Sequence, residues 1–589
     1  MTIGTSEQET VFRGIPVSSG VCHGPVIVVG PRTFQVPEYE ISETGIPAEI
    51  QRFKRALIKT REELQKIQRE LFDKVQTNEA GIFDAHILVL EDQTIIDEVT
   101  RLVSDDRMNV EAAFDRITRK FTSALSAVED NYLRERAADM KDVADRVMGN
   151  LLGGRDLDPL SEIKVPSIII GHDLSPSMTA LFDREMVLGF ATDIGSPTSH
   201  TAILARSLNL PSVVALRDVS SRLTSGQQVL LDGYDGLVIQ NPSEQTLFQY
   251  GEVVRQHADF ENQLETIRDF SSETLDGAPV QLMTNIDHPN EVGDVQRFGA
   301  EGVGLFRTEY LFLNCSELPD EEQQFEAYRS AAVQLEGGAL LIRTLDLGAD
   351  KVANAVPDLH EANPALGLRA IRFCLQHPVI FKQQLRAILR ASAFGSVQLL
   401  YPMISNLDEL LAANKLLEEC RHELRRERVS FDEAMPIGIM IETPAAAMIA
   451  DILAQEIDFF SIGTNDLIQY GSAVDRLNEK IADLYQPTHP GILRLIKQVV
   501  CAADEANVSV GVCGEMAGDP FIVPLLVGLG VRHLSVSAPL APPVKYVIRK
   551  LEVPQAVALA NQALSSKTSN EVMSACKRLI AAVAPDLDA

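Results

Sequence analysis

The feature that most constrains the fold is a regular alternation of short apolar strands and amphipathic helices from residue 273 to residue 589. Eight segments have the length and composition of strands, at residues 280–286, 302–308, 339–345, 397–403, 437–442, 459–463, 508–513 and 533–537. Strands that alternate with helices pair in parallel, and eight such repeats predict a closed TIM (β/α)8 barrel. A doubly wound open sheet is the alternative arrangement for the same pattern.

The first 272 residues combine two β-rich pieces with a helical block between them. Residues 1–32 and 153–242 contain short, β-branched segments punctuated by glycine, whereas residues 33–152 have helical spacing nearly throughout. This order predicts a multidomain α/β chain in which an α-helical domain is inserted into the first α/β domain. Residues 243–272 are charged and helical without a strong apolar stripe, which is typical of a linker helix.

Charge and composition exclude several classes of function. Asp and Glu number 83 against 53 for Lys and Arg, so the formal net charge is −30. A surface this acidic repels phosphate backbones and anionic lipids, so we expect neither nucleic acid nor a membrane as a partner. The apolar stretches are shorter than the roughly 18 residues that span a bilayer, and no secretory signal is visible. The seven cysteines form no CxxC pair, so we expect a reducing, cytoplasmic location.

Polar side chains gather at the ends of the predicted barrel strands, where the catalytic residues of such barrels lie. They are Arg307, Arg343, Glu442, Asn465, Asp466, Arg476 and Cys513. Three converging arginines would clamp a small, multiply charged anion through bidentate hydrogen bonds. The carboxylates of Glu442 and Asp466 suit Mg²⁺, which completes its octahedron with substrate phosphate and water. The alternative is that each arginine closes a salt bridge at the barrel rim and that Cys513 is a small buried apolar side chain.

A histidine at the predicted start of a helix is the second candidate site. The segment 195–203 follows an apolar strand, with Thr198 or Ser199 placed to cap the helix and His200 in its first turn. Free backbone N–H groups and the helix dipole favour negative charge at that position. Imidazole is also a nucleophile at neutral pH, and its phosphoramidate is suited to onward transfer. The alternative is that His200 only caps the turn.

Six motifs at these positions together resemble enzyme I, the phosphoenolpyruvate–protein phosphotransferase of the bacterial sugar phosphotransferase system. They are residues 195–208, 304–309, 343–346, 363–367, 462–467 and 511–515, and residues 132–139 in the helical block are similar as well. The resemblance extends over nearly the whole chain. It implies that the chain transfers the phosphoryl group of phosphoenolpyruvate to its own histidine and then to a histidine of the carrier protein HPr, releasing pyruvate.

The resemblance also implies a role for each candidate residue. His200 is similar to the phosphorylated histidine, and Cys513 to the proton donor. The implied ligands are Arg307, Arg343, Asn465, Asp466 and Arg476 for phosphoenolpyruvate, and Glu442 and Asp466 for Mg²⁺. The α/β domain would swivel, the helical insertion 33–152 would dock HPr, and the barrel would form a homodimer.

The chain departs from the family's pattern beside the histidine. Ser196-Pro197 stands where the family commonly has glycine followed by a basic residue, so a positive charge beside the phosphorylated ring is missing. This change motivates one alternative, an altered paralogue that senses phosphoenolpyruvate and signals through a partner. A dikinase-type enzyme is another alternative, but it needs a large ATP-binding domain for which no stretch of this sequence is left over.

Overall fold

The computed structural model describes residues 9–30, 34–75, 82–126, 131–153, 163–183, 185–196, 199–313, 318–348, 363–476, 478 and 480–587. The chain divides into two compact units, Met1–Arg255 and Gln256–Ala589. Among the helices in the described ranges, none combines the length and the hydropathy that a bilayer crossing requires.

Eight strands form one mixed sheet in the first unit. They are β1 (Thr10–Arg13), β2 (Ile15–Ser18), β3 (Val21–Val29), β4 (Ser167–Gly171), β5 (Val187–Thr192), β6 (Ser212–Val214), β7 (Gln228–Asp232) and β8 (Leu237–Gln240). Their order across the sheet is β1-β8-β7-β3-β4-β5-β6-β2. Strands β3, β4, β5 and β6 pair in parallel, so their carboxyl ends meet at one edge of the sheet. The other pairings are antiparallel.

Five α-helices lie between β3 and β4 in the part of this segment that the structure describes. They are α1 (Ile46–Val75), α2 (Ile82–Leu90), α3 (Gln93–Asp105), α4 (Val110–Ser126) and α5 (Asn131–Leu151). Ile95, Val99 and Val103 recur at every fourth position of α3, so they face one side of that helix and are buried there. Asp92 caps the same helix by accepting hydrogen bonds from two backbone N–H groups of its first turn.

In the described ranges, four further α-helices lie between β4 and the first strand of the second unit. They are α6 (Pro176–Thr179), α7 (His200–Ser207), α8 (Val219–Arg222) and α9 (Glu244–Ile267). Helix α7 comes after β5, which places its first residue at the edge where the parallel strands end. Helix α9 contains the boundary between the two compact units, and it lies within the predicted linker 243–272.

The second unit contains a closed barrel of eight parallel strands. They are β9 (Gln281–Ile286), β10 (Gly302–Phe306), β11 (Ala339–Arg343), β12 (Ser396–Tyr401), β13 (Ile437–Ile441), β14 (Phe459–Ile462), β15 (Ser509–Val512) and β16 (His533–Ser537). Strand β16 pairs with β9 and closes the barrel. The predicted (β/α)8 barrel is therefore confirmed, and the open-sheet alternative is wrong.

The barrel strands alternate with helices whose apolar faces cover them. These helices are α10 (Val292–Arg297), α11 (Glu321–Gln334), α12 (Ala370–Gln376), α13 (Pro378–Ala391), α14 (Leu407–Glu427), α15 (Pro444–Met448), α16 (Ala450–Leu453), α17 (Thr464–Ser472), α18 (Pro490–Ala506), α19 (Val523–Leu529), α20 (Ala541–Lys550), α21 (Val553–Ser565) and α22 (Ser569–Val583). In α18, Ile492, Ile496, Val499 and Val500 lie on one face and are buried. Asn507 ends that helix in the left-handed conformation, with φ at 57°.

Candidate active site at the carboxyl ends of the barrel strands

A guanidinium held by two carboxylates stands at the carboxyl end of β11. Arg343, the last residue of that strand, donates from Nη2 to Glu309 Oε1 at 3.0 Å, and its Nη1 lies 2.8 Å from Asp346 Oδ2. Burial alone would lower the pKa of Arg343, but the charges of Glu309 and Asp346 raise it overall. Its buried Nε has no hydrogen-bond partner among the described residues. Arg343 is thus a fixed positive charge with one N–H available to a bound anion.

Arg369 supplies a second, largely buried guanidinium to this cluster, although it does not stand at a strand end. Its Nη2 donates to Asp346 Oδ1 at 2.7 Å and to Asp466 Oδ2 at 3.4 Å. Its Nη1 donates to the hydroxyl of Tyr470 at 3.1 Å. Arg369 follows no strand of the barrel; it lies two residues beyond the motif 363–367. That motif is the only signal in the sequence that points to it.

Three carboxylates converge beside the two guanidinium groups. One oxygen each from Asp346, Glu442 and Asp466 lies within 4.8 Å of the others, a group that could hold a metal ion. Glu442 is 1% exposed, and its Oε1 accepts a hydrogen bond from the backbone N–H of Met403 at 2.5 Å. Burial and the charges of Asp346 and Asp466 raise the pKa of Glu442 well above its ordinary value, against the opposing effect of the two arginines.

The donor set fits a hard divalent cation. Mg²⁺ prefers oxygen ligands and takes one or two protein carboxylates together with substrate phosphate. A buried carboxylate beside two others is costly unless a cation or a proton neutralises it, and the raised pKa of Glu442 expresses that cost. Glu442 and Asp466 are the predicted metal ligands, and Asp346, which sequence reasoning did not single out, is the third carboxylate here.

The remaining predicted anion ligands lie around this cluster and are more exposed. Arg307, just after β10, is 40% exposed and donates from Nη1 to Asp287 Oδ1 at 3.0 Å. Asn465, in the first turn of α17, donates from Nδ2 to Glu515 Oε1 at 3.1 Å and accepts from the backbone N–H of Glu515 at 2.9 Å. Arg476 is exposed, and its backbone N–H donates to Gln469 Oε1 at 3.2 Å.

Cys513 follows β15 and is 4% exposed. Ser461 Oγ donates to its Sγ at 3.2 Å, and its carbonyl oxygen accepts from Asn285 Nδ2 at 3.2 Å. Burial raises the pKa of the Cys513 thiol, although Ser461 and Arg343 oppose the rise. The next residue must be a glycine, because a Cβ on Gly514 would lie 1.9 Å from Thr464 Oγ1. The arrangement gives a thiol that is protonated at neutral pH and fixed from both sides.

His200 is the first residue of α7, as the capping pattern predicts. Ser199 is the N-cap, and its hydroxyl accepts a hydrogen bond from the backbone N–H of Ala202. Thr201 Oγ1 donates to the carbonyl of Leu174 at 2.7 Å, which ties the start of α7 to the loop after β4. The ring of His200, and the whole of Pro197 and Thr198, lie outside the described part of the structure.

Comparison with known proteins matches all three regions of the chain to one group of enzymes. Family models described as PEP-utilising enzyme match residues 13–136 (N-terminal), 163–236 (mobile domain) and 261–553 (PEP-binding domain). A phosphoenolpyruvate-protein phosphotransferase of Geobacillus stearothermophilus is 41% identical over 576 residues, covering 98% of this chain and 99% of the relative. A phosphoenolpyruvate-protein phosphotransferase of Staphylococcus carnosus (strain TM300) is 40% identical over 562 residues, covering 95% of this chain and 98% of the relative.

A solved solution structure of Enzyme I (nEIt) is 35% identical, with a TM-score of 0.36, and covers 42% of this chain and 99% of that one. Family membership is shown by the two phosphotransferases, because each is about 40% identical to this chain over nearly the full length of both proteins. The chain belongs to the phosphoenolpyruvate-protein phosphotransferase family.

Proposed function

We propose that this protein transfers the phosphoryl group of phosphoenolpyruvate to His200 and then to a histidine of HPr, with release of pyruvate. The observation that carries the proposal is the buried cluster at the barrel mouth. There two guanidinium groups, Arg343 and Arg369, face three carboxylates, and an unpartnered N–H of Arg343 remains for an anion. Phosphoryl transfer depends on positioning and charge neutralisation, which such a cluster supplies.

Substrate binding divides between buried and exposed groups. Arg343 would neutralise the anion at depth, while Arg307, Arg476 and Asn465 would reach it from the rim. Glu442 and Asp466 would hold Mg²⁺. Bound there, Mg²⁺ would supply charge neutralisation for the phosphoryl group and the developing enolate.

The chemical steps then require one nucleophile and one acid. Nε2 of His200 attacks the phosphorus, the bond between phosphorus and the enolic oxygen breaks, and the electron pair leaves on the pyruvate enolate. The Cys513 thiol protonates the methylene carbon of that enolate, which gives pyruvate and leaves a thiolate. A thiol that burial keeps protonated at neutral pH is suited to this role.

The domain organisation and the partners belong to the same proposal. Residues 1–32 and 153–242 would form a swivelling phosphohistidine domain, and the helices within 33–152 would dock HPr. The linker 243–272 would carry the movement, and the barrel, 273–589, would form the homodimer in the cytoplasm. The sensor and dikinase alternatives are not favoured, because the matched relatives named phosphotransferase cover 95–98% of this chain.

The test locates the phosphate. The full chain is incubated with Mg²⁺ and phosphoenolpyruvate labelled at phosphorus, and acid-labile label is mapped by peptide analysis. We expect label on the peptide containing His200, none in His200→Ala, and normal labelling in His422→Ala, a control at an exposed histidine on α14. Label in His200→Ala equal to that of the unmodified protein would refute the proposal.

A further inference from the structure

A cavity of about 290 Å³ lies inside the barrel. Its lining includes the first residues of five strands, Gln281, Ala339, Phe459, Ser509 and His533. Along β9, every second residue is only partly buried while the residues between them are fully buried. In a barrel, alternate residues of a strand face inward, so this pattern is that of a strand beside an unfilled interior.

The lining of this cavity is polar enough to hold water. Side chains of Gln398, Ser461, Ser535 and His533 face it together with apolar groups. A water molecule occupies about 30 Å³ in the liquid and needs two to four polar partners, so the space accommodates several molecules. Asp458 and Ser509, which also line the cavity, are exposed, so the cavity connects to solvent.

Ser461 joins this cavity to the proposed proton donor. It lines the cavity, is 6% exposed, and its Oγ donates to Cys513 Sγ at 3.2 Å. Strand register explains the contact, because Ser461 pairs with Gly511 on the neighbouring strand β15, and Cys513 lies two residues further on the same side.

A second chain of hydrogen bonds fixes the backbone at the same point. Ser535, which also lines the cavity, donates from Oγ to Asn285 Oδ1 at 2.6 Å. Asn285 in turn donates from Nδ2 to the carbonyl of Cys513 at 3.2 Å. The thiol therefore stands between the charged cluster at the carboxyl end of the strands and the polar cavity.

We propose that Ser461 returns a proton to Cys513 from water in this cavity after each turnover. The inference rests on the proposed function, in which Cys513 ends each cycle as a thiolate. The Ser461 hydroxyl gives its proton to Sγ, and its oxygen takes a proton from a cavity water. The water becomes hydroxide, which solvent neutralises, so the net change is thiolate plus water to thiol plus hydroxide. Ser461 is a positioning residue that acts through Cys513.

The geometry favours this route over reprotonation from the barrel mouth. The carboxyl end of the barrel carries three carboxylates, and in the proposed mechanism it would hold phosphoenolpyruvate and Mg²⁺ during turnover. Access from the cavity does not require the product to leave first. Ser461 is already in contact with the sulfur, so the proton moves through an existing hydrogen bond.

The test separates the first turnover from later ones. Cys513 begins protonated, so one pyruvate per site forms without any proton return; later turnovers need it. Pyruvate is measured by rapid quench, first without HPr for the single turnover and then with excess HPr for the steady state. In Ser461→Ala we expect a first turnover within about threefold of the unmodified rate and a steady-state rate at least tenfold lower. Ser461→Thr, which keeps the hydroxyl, restores the steady-state rate, and Ser396→Ala, at the exposed start of β12, changes neither phase.

Three outcomes overturn the proposal. If the steady-state rate of Ser461→Ala equals that of the unmodified protein, the proposed relay through Ser461 is refuted. Equal losses in both phases that Ser461→Thr does not restore show a structural role only. If Ser461→Ala does not fold, Ser461→Gly replaces it, since glycine also removes the hydroxyl, and an unchanged steady state then refutes the relay. Failure of the proposed function is distinct, because the unmodified protein would then show no phosphate on His200.

Discussion

Arg343 and Arg307 provide a matched pair of substitutions, because both are proposed anion ligands but only one is buried. Arg343 is 12% exposed and paired with Glu309 and Asp346, at 14% and 4% exposed, whereas Arg307 is 40% exposed and paired with Asp287 at 56%. Methionine at either position removes the charge and keeps much of the volume. We expect both variants to lose turnover of phosphoenolpyruvate, so activity alone does not distinguish them.

Stability distinguishes them. Removing one partner of a buried ion pair costs about 3–5 kcal/mol, because it leaves the other charge uncompensated. Arg343→Met does so beside Glu442, whose pKa is already raised by burial and by its carboxylate neighbours. An exposed pair such as Arg307 with Asp287 contributes about 0–1 kcal/mol. For a unit of about 330 residues the unfolding entropy corresponds to about 0.7 kcal/mol per degree. Arg343→Met should therefore lower the melting midpoint by about 4–7 °C, and Arg307→Met by at most about 1 °C.

The assay is differential scanning calorimetry of the full chain at neutral pH in the presence of a chelator. Adding Mg²⁺ should recover part of the loss in Arg343→Met, because the cation neutralises the carboxylates that the arginine no longer faces. Equal midpoints for the two variants, or a larger loss in Arg307→Met, would refute the interpretation of the cluster as a buried charge network.

Two further predictions concern residues of the barrel. Mg²⁺ at 100 times its dissociation constant should stabilise the protein by about 2.7 kcal/mol. Thermal melts with and without a chelator should show this stabilisation in the unmodified protein and not in Glu442→Gln. An undiminished stabilisation in the variant would mean that the ion binds elsewhere. Burial lowers the pKa of His533, so the unfolded chain binds a proton there that the folded chain does not, and stability is lost as pH falls below about 6.5. Urea unfolding at pH 5.5 and 7.5 should show a larger loss in the unmodified protein than in His533→Gln, and parallel losses would contradict this.

The periodicity of the sequence was sufficient for the barrel, because each strand is a short apolar run bounded by turns. The predicted segments overlap all eight strands, although residues 302–308 extend beyond β10, which ends at Phe306. The apolar run ends at Phe306, because the next two residues are Arg307 and Thr308, and the backbone of Thr308 has already left the strand conformation. Strand ends also located Arg343 and Glu442, since the carboxyl ends of parallel strands share one face of a barrel.

What the strand pattern could not supply is the pairing of charges across loops. Asp346 neutralises Arg343 three residues away, yet it also neutralises Arg369, which lies beyond the segment 349–362 and follows no strand. The two side chains meet because closure of the barrel brings the loops of different strands together. Local helix and strand propensities carry no information about which loops become neighbours in space. Strand ends therefore locate the groups proposed to meet the substrate, whereas the groups that pair with them across loops stand elsewhere in the sequence.

The same limit explains why the sequence pointed to Cys513 but not to Ser461, which donates a hydrogen bond to it. A thiol beside a glycine at a strand end is a visible motif, whereas a serine inside a strand is read as one residue of an apolar run. Ser461 reaches Cys513 only because β14 and β15 pair in a register that sets it opposite Gly511, and a shift by one residue would turn it to the other face. The contact between hydroxyl and thiol is thus a consequence of strand register, and the register is fixed by the closed barrel. For that reason the proposed supply of the proton, unlike its proposed donor, could be inferred only from the folded structure.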